Sequence, residues 1–521
     1  MDEEADSISN LPDILLSSII SSLTITEAAR TSTFSQRWKT LWKYSSNLNF
    51  DQSQMLKSLI EDYRESSNIS KRLERAVRRK IAPKDDSDMD PIAESTMLII
   101  SIIDNHIGTL ESCRILHLLE SSASGDVLRW MKKLREKGVI KVSMEVEIRD
   151  DHNTIMPFDV FTSFKDLELQ NYFITVKPCP NHHQVLKTLT LNNVRVFSDN
   201  FQEILPHCLS LENLTLKQCQ FIGNDVIIDS LSLKYFKIFD MIVHKILVSA
   251  ANIEVIEIGS IFCNPEDLVF ETPKLLVLHA HNDVKKLGRR FTTRDIIEIC
   301  SGILGCQGST IGSIFDNLVT LCLDIDFKNI RDSIALSFAI KSCHQLKTLQ
   351  IQNQVNMNLI GEVNNQNDND SLPYPGIMFW QKREPYDCLT YKLKSICIKG
   401  YTGGEFELEF VKYLILNGGV MENITIWFLD DCLWSEVIAT ICLLSYPKLS
   451  PKLSFDLKPG MQYMTKYDSN FDNSQAYFSY ECDLHLFDLV ISNMVSRAGS
   501  NSYNDSTNDN FDEDHYDYVS E

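Results

Sequence analysis

The amino-acid sequence predicts an α+β or α/β solenoid, in which a small helical domain precedes a stack of short strands. Two observations carry this prediction. Three short amphipathic helical patterns fill the first 50 residues, and a six-residue apolar pattern then recurs ten times between residues 164 and 426. Because one such repeat buries its apolar side only against neighbouring copies, the repeats are expected to share one continuous core.

Composition and charge argue against several classes of protein, namely nucleic-acid-binding, secreted and membrane-spanning proteins. The 521 residues are 44% hydrophobic with a mean hydropathy of -0.13, as in ordinary globular proteins. A net charge of -21 should repel phosphate backbones, which argues against a nucleic-acid partner. The sequence shows neither a signal peptide nor an apolar run long enough for a bilayer, so we expect an intracellular soluble protein in the nucleus, the cytoplasm or both. The 14 scattered cysteines form no C-x-x-C pair and are expected to be buried apolar side chains.

The first helix is expected to begin at Pro12, since a proline fits the first helical position. A second helix is predicted from Thr26 to Thr33, capped by Thr24 or Thr26. Ser35 is the predicted cap of a third helix. On helical spacing, the first helix presents five apolar residues within an arc of about 140°, and the third presents three on one face. These residues are Leu15, Leu16, Ile19, Ile20 and Leu23, then Trp38, Leu41 and Trp42. Such a surplus of apolar groups either forms a binding surface or packs on the downstream domain.

Three segments, Ile8–Leu23, Glu27–Ser32 and Ser35–Trp42, resemble a plant-type F-box. The similarity lies in the Leu-Pro start, the helical spacing and the Arg-Trp…Leu-Trp end. The resemblance implies that the helices dock on a Skp-type adaptor, which links to a cullin scaffold and its RING subunit. It implies the following residues for the adaptor face or its support: Leu11, Pro12, Ile14, Leu15, Ile19, Leu23, Trp38, Leu41 and Trp42. One departure is Thr24, which replaces the usual proline after the first helix and is expected to loosen the turn.

The segment between the F-box and the repeats is less regular. Lys71–Lys80 lies in a basic stretch and is interpreted as a helix with a solvated face or, alternatively, as a nuclear-localisation patch. Helices are predicted at Thr96–Leu119 and Val127–Lys137. Alternating apolar residues from Ile140 to Ile148 then predict a strand.

The recurring pattern has the form apolar-x-x-apolar-x-apolar, and its first six copies start 22, 25, 22, 20 and 22 residues apart. Periods of about 20 to 29 residues with this pattern indicate leucine-rich repeats. The ten copies are Phe164–Leu169, Leu186–Leu191, Leu211–Leu216, Leu233–Ile238, Ile253–Ile258, Leu275–Ala280, Leu318–Leu323, Leu346–Ile351, Leu393–Ile398 and Met421–Ile426. A degenerate copy is expected near Phe291–Leu304, and the Asn- and Asp-rich Val355–Asp370 is interpreted as a loop.

A second resemblance covers roughly residues 376 to 456. Trp380, Leu393–Tyr401, Glu409–Asn417 and Met421–Ile426 are similar to an FBD domain, the strand-helix-strand cap of plant F-box/LRR proteins. From the residues alone, Glu409–Asn417 is an amphipathic helix that Gly418 and Gly419 end. We treat this cap as the element that closes the solenoid.

The predicted domain order has six parts. They are the F-box at 1–50, a helical linker or N-terminal cap at 51–138, leucine-rich repeats at 139–370, the FBD domain at 371–456, a C-terminal cap segment at 457–495 and a disordered acidic tail at 496–521. Seven acidic residues and no Lys or Arg after Ser500 support the last assignment.

The strand face between the core positions is the expected substrate surface of such a solenoid. Its row comprises Glu168, Thr190, Thr215, Lys237, Glu257, His279, Cys322, Gln350, Cys397 and Thr425. The predicted substrate-binding residues are Tyr235, Lys237, Phe239, Glu257, His279 and Trp427, since aromatic side chains often anchor partners.

No catalytic, cofactor or metal site is predicted. His182-His183 and His279-Ala-His281 lack the acidic and spacing partners of a zinc site, and no P-loop is present. The two interpretations left open are the substrate-recognition subunit of an SCF-type E3 ubiquitin ligase and a non-catalytic repeat scaffold or decoy that does not support ubiquitylation.

Overall fold

The computed structural model describes thirteen parts of the chain. These are residues 8, 11–60, 91–123, 125–147, 154–161, 163–175, 185–223, 225–263, 267–281, 315–354, 375–429, 432 and 434–458. They belong to two compact units, an N-terminal unit (Met1–Ile314) and a C-terminal unit (Phe315–Glu521). The predicted basic helix, the degenerate repeat, the loop at 355–370 and everything predicted after residue 458 lie outside these parts. Within them, no helix is long and apolar enough to cross a membrane.

Three short helices open the N-terminal unit: α1 (Asp13–Ser21), α2 (Ile25–Thr31) and α3 (Trp38–Leu41). They enclose a small core of Leu16, Ile20, Ala28, Trp38 and Leu41. The predicted starts were wrong by one or two residues. Pro12 precedes the first helix, and the residue before the third is Arg37 instead of Ser35.

The turn between α1 and α2 is capped, so the expectation that Thr24 loosens it was wrong. The Thr24 N–H donates to Oε2 of Glu27 at 2.8 Å, and the Glu27 N–H donates to Oγ1 of Thr24 at 3.3 Å. This reciprocal pair is a capping box. The hydrogen bond from the Thr24 backbone is the main reason that the pKa of Glu27 is lowered.

Nine parallel strands of the N-terminal unit form one sheet in chain order. They are β1 (Asn47–Asp51), β2 (Ser112–His117), β3 (Lys141–Val146), β5 (Asp166–Gln170), β7 (Thr188–Asn192), β9 (Asn213–Lys217), β12 (Tyr235–Ile242), β14 (Val255–Phe262) and β16 (Val277–His281). The intervening strands form two smaller parallel sheets. One contains β4 (Thr154–Pro157), β6 (Tyr172–Thr175), β8 (Arg195–Phe197) and β10 (Gln220–Ile222), and the other contains β11 (Asp225–Asp229), β13 (Lys245–Ser249) and β15 (Leu268–Glu271). Seven described strands of this region therefore lie outside the main sheet.

The main sheet begins earlier than the repeat pattern predicts, at Asn47. The predicted helix Thr96–Leu119 was wrong in its second half, because the helix α4 (Pro91–Asn105) ends and β2 follows. Cys113 and Ile115 of β2 alternate into the core while the strand pairs with β1 and β3. Two short helices, α5 (Leu119–Ala123) and α6 (Asp126–Glu136), complete this region, and α6 matches the predicted helix from Val127 within one residue.

A buried glutamine joins the end of the three-helix segment to this region. Gln52 is fully buried at the start of the helical residues 52–60, and it takes part in five hydrogen bonds. The two N–H groups of its Nε2 are shared among the hydroxyls of Ser95, Thr96 and Ser121, and its Oε1 accepts from the Leu118 N–H and from the Ser121 hydroxyl. The network ties the sheet edge to α4 and α5 without an unpaired amide atom.

The predicted repeat pattern is confirmed position by position. In all ten copies the first, fourth and sixth residues are between 0 and 2% exposed. A second regularity recurs along the repeats: five residues have positive φ, between 49° and 66°. Asn171, Asn193 and Gln218 directly follow strands of the main sheet, whereas Asp240 and Ser260 lie within β12 and β14. Asn and Asp tolerate this conformation better than most residues. After Asn171, Asn193 and Gln218 the chain passes from the main sheet to β6, β8 and β10 of a smaller sheet.

One more helix of the N-terminal unit, α7 (Ser198–Ile204), follows β8. The described residues of the C-terminal unit contain five parallel strands, β17 (Thr320–Ile325), β18 (Thr348–Asn353), β19 (Ser395–Tyr401), β20 (Asn423–Phe428) and β21 (Ser454–Lys458). Its helices are α8 (Ile330–Ser342), α9 (Asp387–Tyr391), α10 (Glu405–Asn417) and α11 (Trp434–Cys442). The predicted strand-helix-strand cap is present as β19, α10 and β20, and α10 ends where Gly418 follows.

Candidate interaction surfaces

The apolar residues of α1 divide between two sides. Leu16 and Ile20 lie in the helical core, whereas Ile14, Leu15 and Ile19 are 82, 50 and 43% exposed. Large exposed apolar side chains are common singly, but three on one short helix form a patch of the kind that marks an interface.

The other predicted adaptor residues separate by burial. Trp38 and Leu41 belong to the core, so they support the surface instead of forming it. Leu11, Leu23 and Trp42 are partly buried against that core, and Pro12 is exposed. Sequence reasoning missed Phe34 and Tyr44, which are also well exposed. No periodic signal singles them out, because both lie outside the three helices.

A groove of about 650 Å³ runs beside α1 and α3. Ile14 and Tyr44 contribute apolar surface to it, and serines 17, 18 and 21 line its α1 side. Arg37 fixes one end: Nη2 donates to the Leu11 carbonyl at 2.6 Å, and Nη2 also lies 2.6 Å from Oδ1 of Asp13. The helices thus present an apolar patch and an adjoining groove as a contact surface for a protein partner.

The predicted strand-face row is found in register in both units. In the N-terminal unit Glu168, Thr190, Thr215, Lys237, Glu257 and His279 pair in that order across β5 to β16. In the C-terminal unit Cys322, Gln350, Cys397 and Thr425 do the same across β17 to β20. Cys322 is buried, which is a correction to its predicted exposure.

Charged and aromatic side chains gather where β12, β14 and β16 pair. Nζ of Lys237 lies 2.6 Å from Oε2 of Glu257, and Nε2 of His281 lies 3.4 Å from Oε1 of the same carboxylate. The rings of Phe239 and His281 lie 6.2 Å apart, and those of His279 and His281 6.1 Å apart. Burial lowers the pKa of His279, with Glu257 opposing the shift and His281 and Lys237 adding to it.

The structure brings together four of the predicted substrate residues and not all six. Lys237, Phe239, Glu257 and His279 lie in this cluster, and Tyr235 precedes them on β12 in an exposed position. Trp427 lies in the C-terminal unit, where Nζ of Lys458 is 5.0 Å from its ring centroid.

The sequence analysis found no acidic partner for His279-Ala-His281 and therefore predicted no metal site there. Glu257 lies 24 positions earlier and reaches His281 through the pairing of β14 with β16. The signal that could have found it is the repeat register, since a step of one repeat places residues on adjacent strands.

Comparison with known proteins adds three matches along the chain. Residues 8–50 match the F-box domain family, residues 127–282 match the family described as "FBD-associated F-box protein At5g56370, LRR repeats", and residues 381–426 match the FBD family. All three segments lie in the order that the sequence resemblances predicted.

Individual relatives are distant. The F-box protein At1g80960 of Arabidopsis thaliana is 24% identical over 81% of this chain and 84% of its own length. The FBD-associated F-box protein At5g22730 of the same organism is 23% identical over 81% and 87%. The putative F-box protein At3g58860, also from Arabidopsis thaliana, is 27% identical over 45% of this chain and 47% of its own.

Proposed function

This chain belongs to the F-box/LRR family with a C-terminal FBD domain, and from that premise we propose that it is the substrate-recognition subunit of an SCF-type E3 ubiquitin ligase. The observation that carries the proposal is the exposed apolar patch of Ile14, Leu15 and Ile19 on an F-box helix. Apolar surface of this kind is stabilised when a partner removes it from water.

In this proposal the Skp-type adaptor contacts Ile14, Leu15 and Ile19 directly, with Pro12 and partly buried Leu11, Leu23 and Trp42 at the margin. Trp38 and Leu41 hold the helices in place from the core. The adaptor brings the cullin and the RING subunit. In the proposed domain order the F-box at 1–50 carries this contact. The remaining parts are the helical linker or N-terminal cap (51–138), the leucine-rich repeats (139–370), the FBD domain (371–456), the C-terminal cap segment (457–495) and the disordered acidic tail (496–521).

The repeats and the FBD domain recruit a protein substrate, and the chain itself performs no chemistry. It acts by raising the effective concentration of substrate near the activated ubiquitin carrier. The substrate contacts are placed at Tyr235, Lys237, Phe239, Glu257 and His279, with Trp427 as a further anchor. Such a subunit works inside the cell, in the nucleus, the cytoplasm or both.

Replacing Ile14 by aspartate tests the adaptor contact without disturbing the helical core. Ile14 is largely exposed, and an acidic residue in the first turn of a helix is favourable. We expect Ile14→Asp to weaken adaptor binding by about 2 kcal/mol, roughly 30-fold, as loss of an interface anchor does. Co-purification of the full chain with a Skp-type adaptor, followed by calorimetric titration, measures the change.

Ile242→Asp is the matched control, because Ile242 is 76% exposed but lies on β12 of the repeats. It should leave adaptor affinity unchanged. Equal affinity of Ile14→Asp and wild type would contradict the proposed contact face. A well-folded wild type that never binds the adaptor would favour the repeat scaffold or decoy.

A further inference from the structure

Three potential metal ligands converge on the strand face of the N-terminal unit. Glu257, His279 and His281 each offer one ligand atom, and these atoms all lie within 4.8 Å of one another. Within the parts of the chain that the structure describes, no other trio of His, Cys, Asp or Glu side chains meets that condition. All three side chains are partly exposed, so an ion has access from solvent.

The sheet itself produces this convergence. His279 and His281 are two residues apart on β16, so their side chains point to the same face, while Ala280 between them is buried in the core. Glu257 pairs directly with His279 on the neighbouring strand β14. The backbone hydrogen bonds of two paired strands therefore hold the three Cα positions, and side-chain rotation is the only adjustment left.

We propose that Glu257, His279 and His281 form a binding site for one Zn²⁺ ion with a fourth coordination position open to water or to a partner's side chain. Two imidazoles and one carboxylate are ligands that zinc accepts, and sites with three protein ligands keep the fourth position open. Hard cations such as Mg²⁺ prefer all-oxygen sites and are not expected here.

The present spacing is close to what zinc needs. Ligand atoms about 2.1 Å from a tetrahedral ion are about 3.4 Å apart. Nε2 of His281 and Oε1 of Glu257 already lie 3.4 Å apart. With no pair of ligand atoms beyond 4.8 Å, rotation of the His279 ring toward the other two has to close a distance of at most about 1.4 Å.

Two neighbours shape the site. Lys237 engages Oε2 of Glu257 and leaves Oε1 toward His281, so the carboxylate retains one oxygen for an ion. Gly259 pairs with His281, and a Cβ there would lie 2.8 Å from Cδ1 of Phe239 and 3.3 Å from Cβ of His281. The missing side chain lets the Phe239 ring approach His281 and form an apolar wall beside it.

Zinc binding by this trio does not require the adaptor, so it is testable on the isolated full chain. Equilibrium dialysis and calorimetry with Zn²⁺ should find a site that wild type has and the His279→Ala/His281→Ala variant lacks. Each single alanine variant should lower the affinity by on the order of 100-fold or more, since even partners of zinc ligands contribute 10- to 100-fold. His344→Ala, which removes an exposed histidine from the C-terminal unit, is the matched control and should retain the site.

Lys237→Met distinguishes zinc binding at this site from non-specific zinc binding to histidine side chains, because it changes no histidine. Removing a cation that competes for the Glu257 carboxylate should tighten Zn²⁺ binding about three- to tenfold, whereas Glu257→Gln should weaken it. With Co²⁺ in place of Zn²⁺, wild type should show the intense visible absorption of a tetrahedral site. Identical zinc stoichiometry and affinity in wild type and the double alanine variant would overturn the proposal, as would a Lys237→Met variant that binds no tighter together with an unaffected Glu257→Gln.

Discussion

Replacing Trp38 by alanine is expected to unfold the F-box helices and to abolish adaptor binding. Trp38 is 3% exposed, forms the core with Leu16 and Ile20, and packs edge-on with the Phe34 ring at 5.6 Å between centroids. Truncating a buried tryptophan to alanine costs about 3–5 kcal/mol. A helical unit of about 40 residues has little more stability than that to lose.

Adaptor titration and limited proteolysis measure this outcome. Cleavage of Trp38→Ala should concentrate in the F-box, while the repeat sheet keeps its circular dichroism. Trp38→Phe is the matched control: it keeps a ring in the core and removes an Nε1–H that has no hydrogen-bond acceptor among the described residues. Trp38→Phe should bind the adaptor nearly as wild type does. Undiminished binding by Trp38→Ala would show that the helical core does not support the adaptor face.

Replacing Gln52 by leucine is expected to lower the free energy of unfolding of the N-terminal unit by about 3 kcal/mol. The side chain is fully buried. Leucine cannot accept the hydrogen bonds that the Leu118 N–H and the Ser121 hydroxyl donate to Gln52. Each buried polar group left unpaired costs about 1–3 kcal/mol. Denaturant unfolding measures the loss, and amide exchange at Leu118 should accelerate.

Gln54→Leu is the control for that substitution, since Gln54 is two residues away on an exposed position. It should change stability by less than about 0.5 kcal/mol. If Gln52→Leu were as stable as Gln54→Leu, the buried network would not be what joins the F-box end to the first repeats.

The repeat region could be predicted from the sequence in detail because its signal is redundant. Ten copies of one pattern determine which residues are buried, and the register of the row from Glu168 to His279 follows from them. The apolar face of α1 was predictable as well. The sequence did not predict which of its residues face the core and which face solvent. An arc of about 140° is wider than the side of the helix that packs on the core.

The wrong helix prediction for β2 has a physical cause, namely pairing partners that are distant in the chain. β2 was read as helix because an apolar run precedes it, whereas its pairing with β1 and β3 decides its conformation. The proximity of Glu257 to His281 was likewise not visible in the sequence, because the two residues meet only across two paired strands. Thr24 was judged by the proline it replaces, whereas Glu27, three residues on, completes a capping box.

The central claim is that this F-box binds a Skp-type adaptor. Size-exclusion chromatography with light scattering, applied to the wild-type full chain mixed with purified adaptor, tests it most directly. We expect a one-to-one complex whose mass is the sum of the two chains. A chain with native circular dichroism that elutes apart from the adaptor at micromolar concentrations would contradict it.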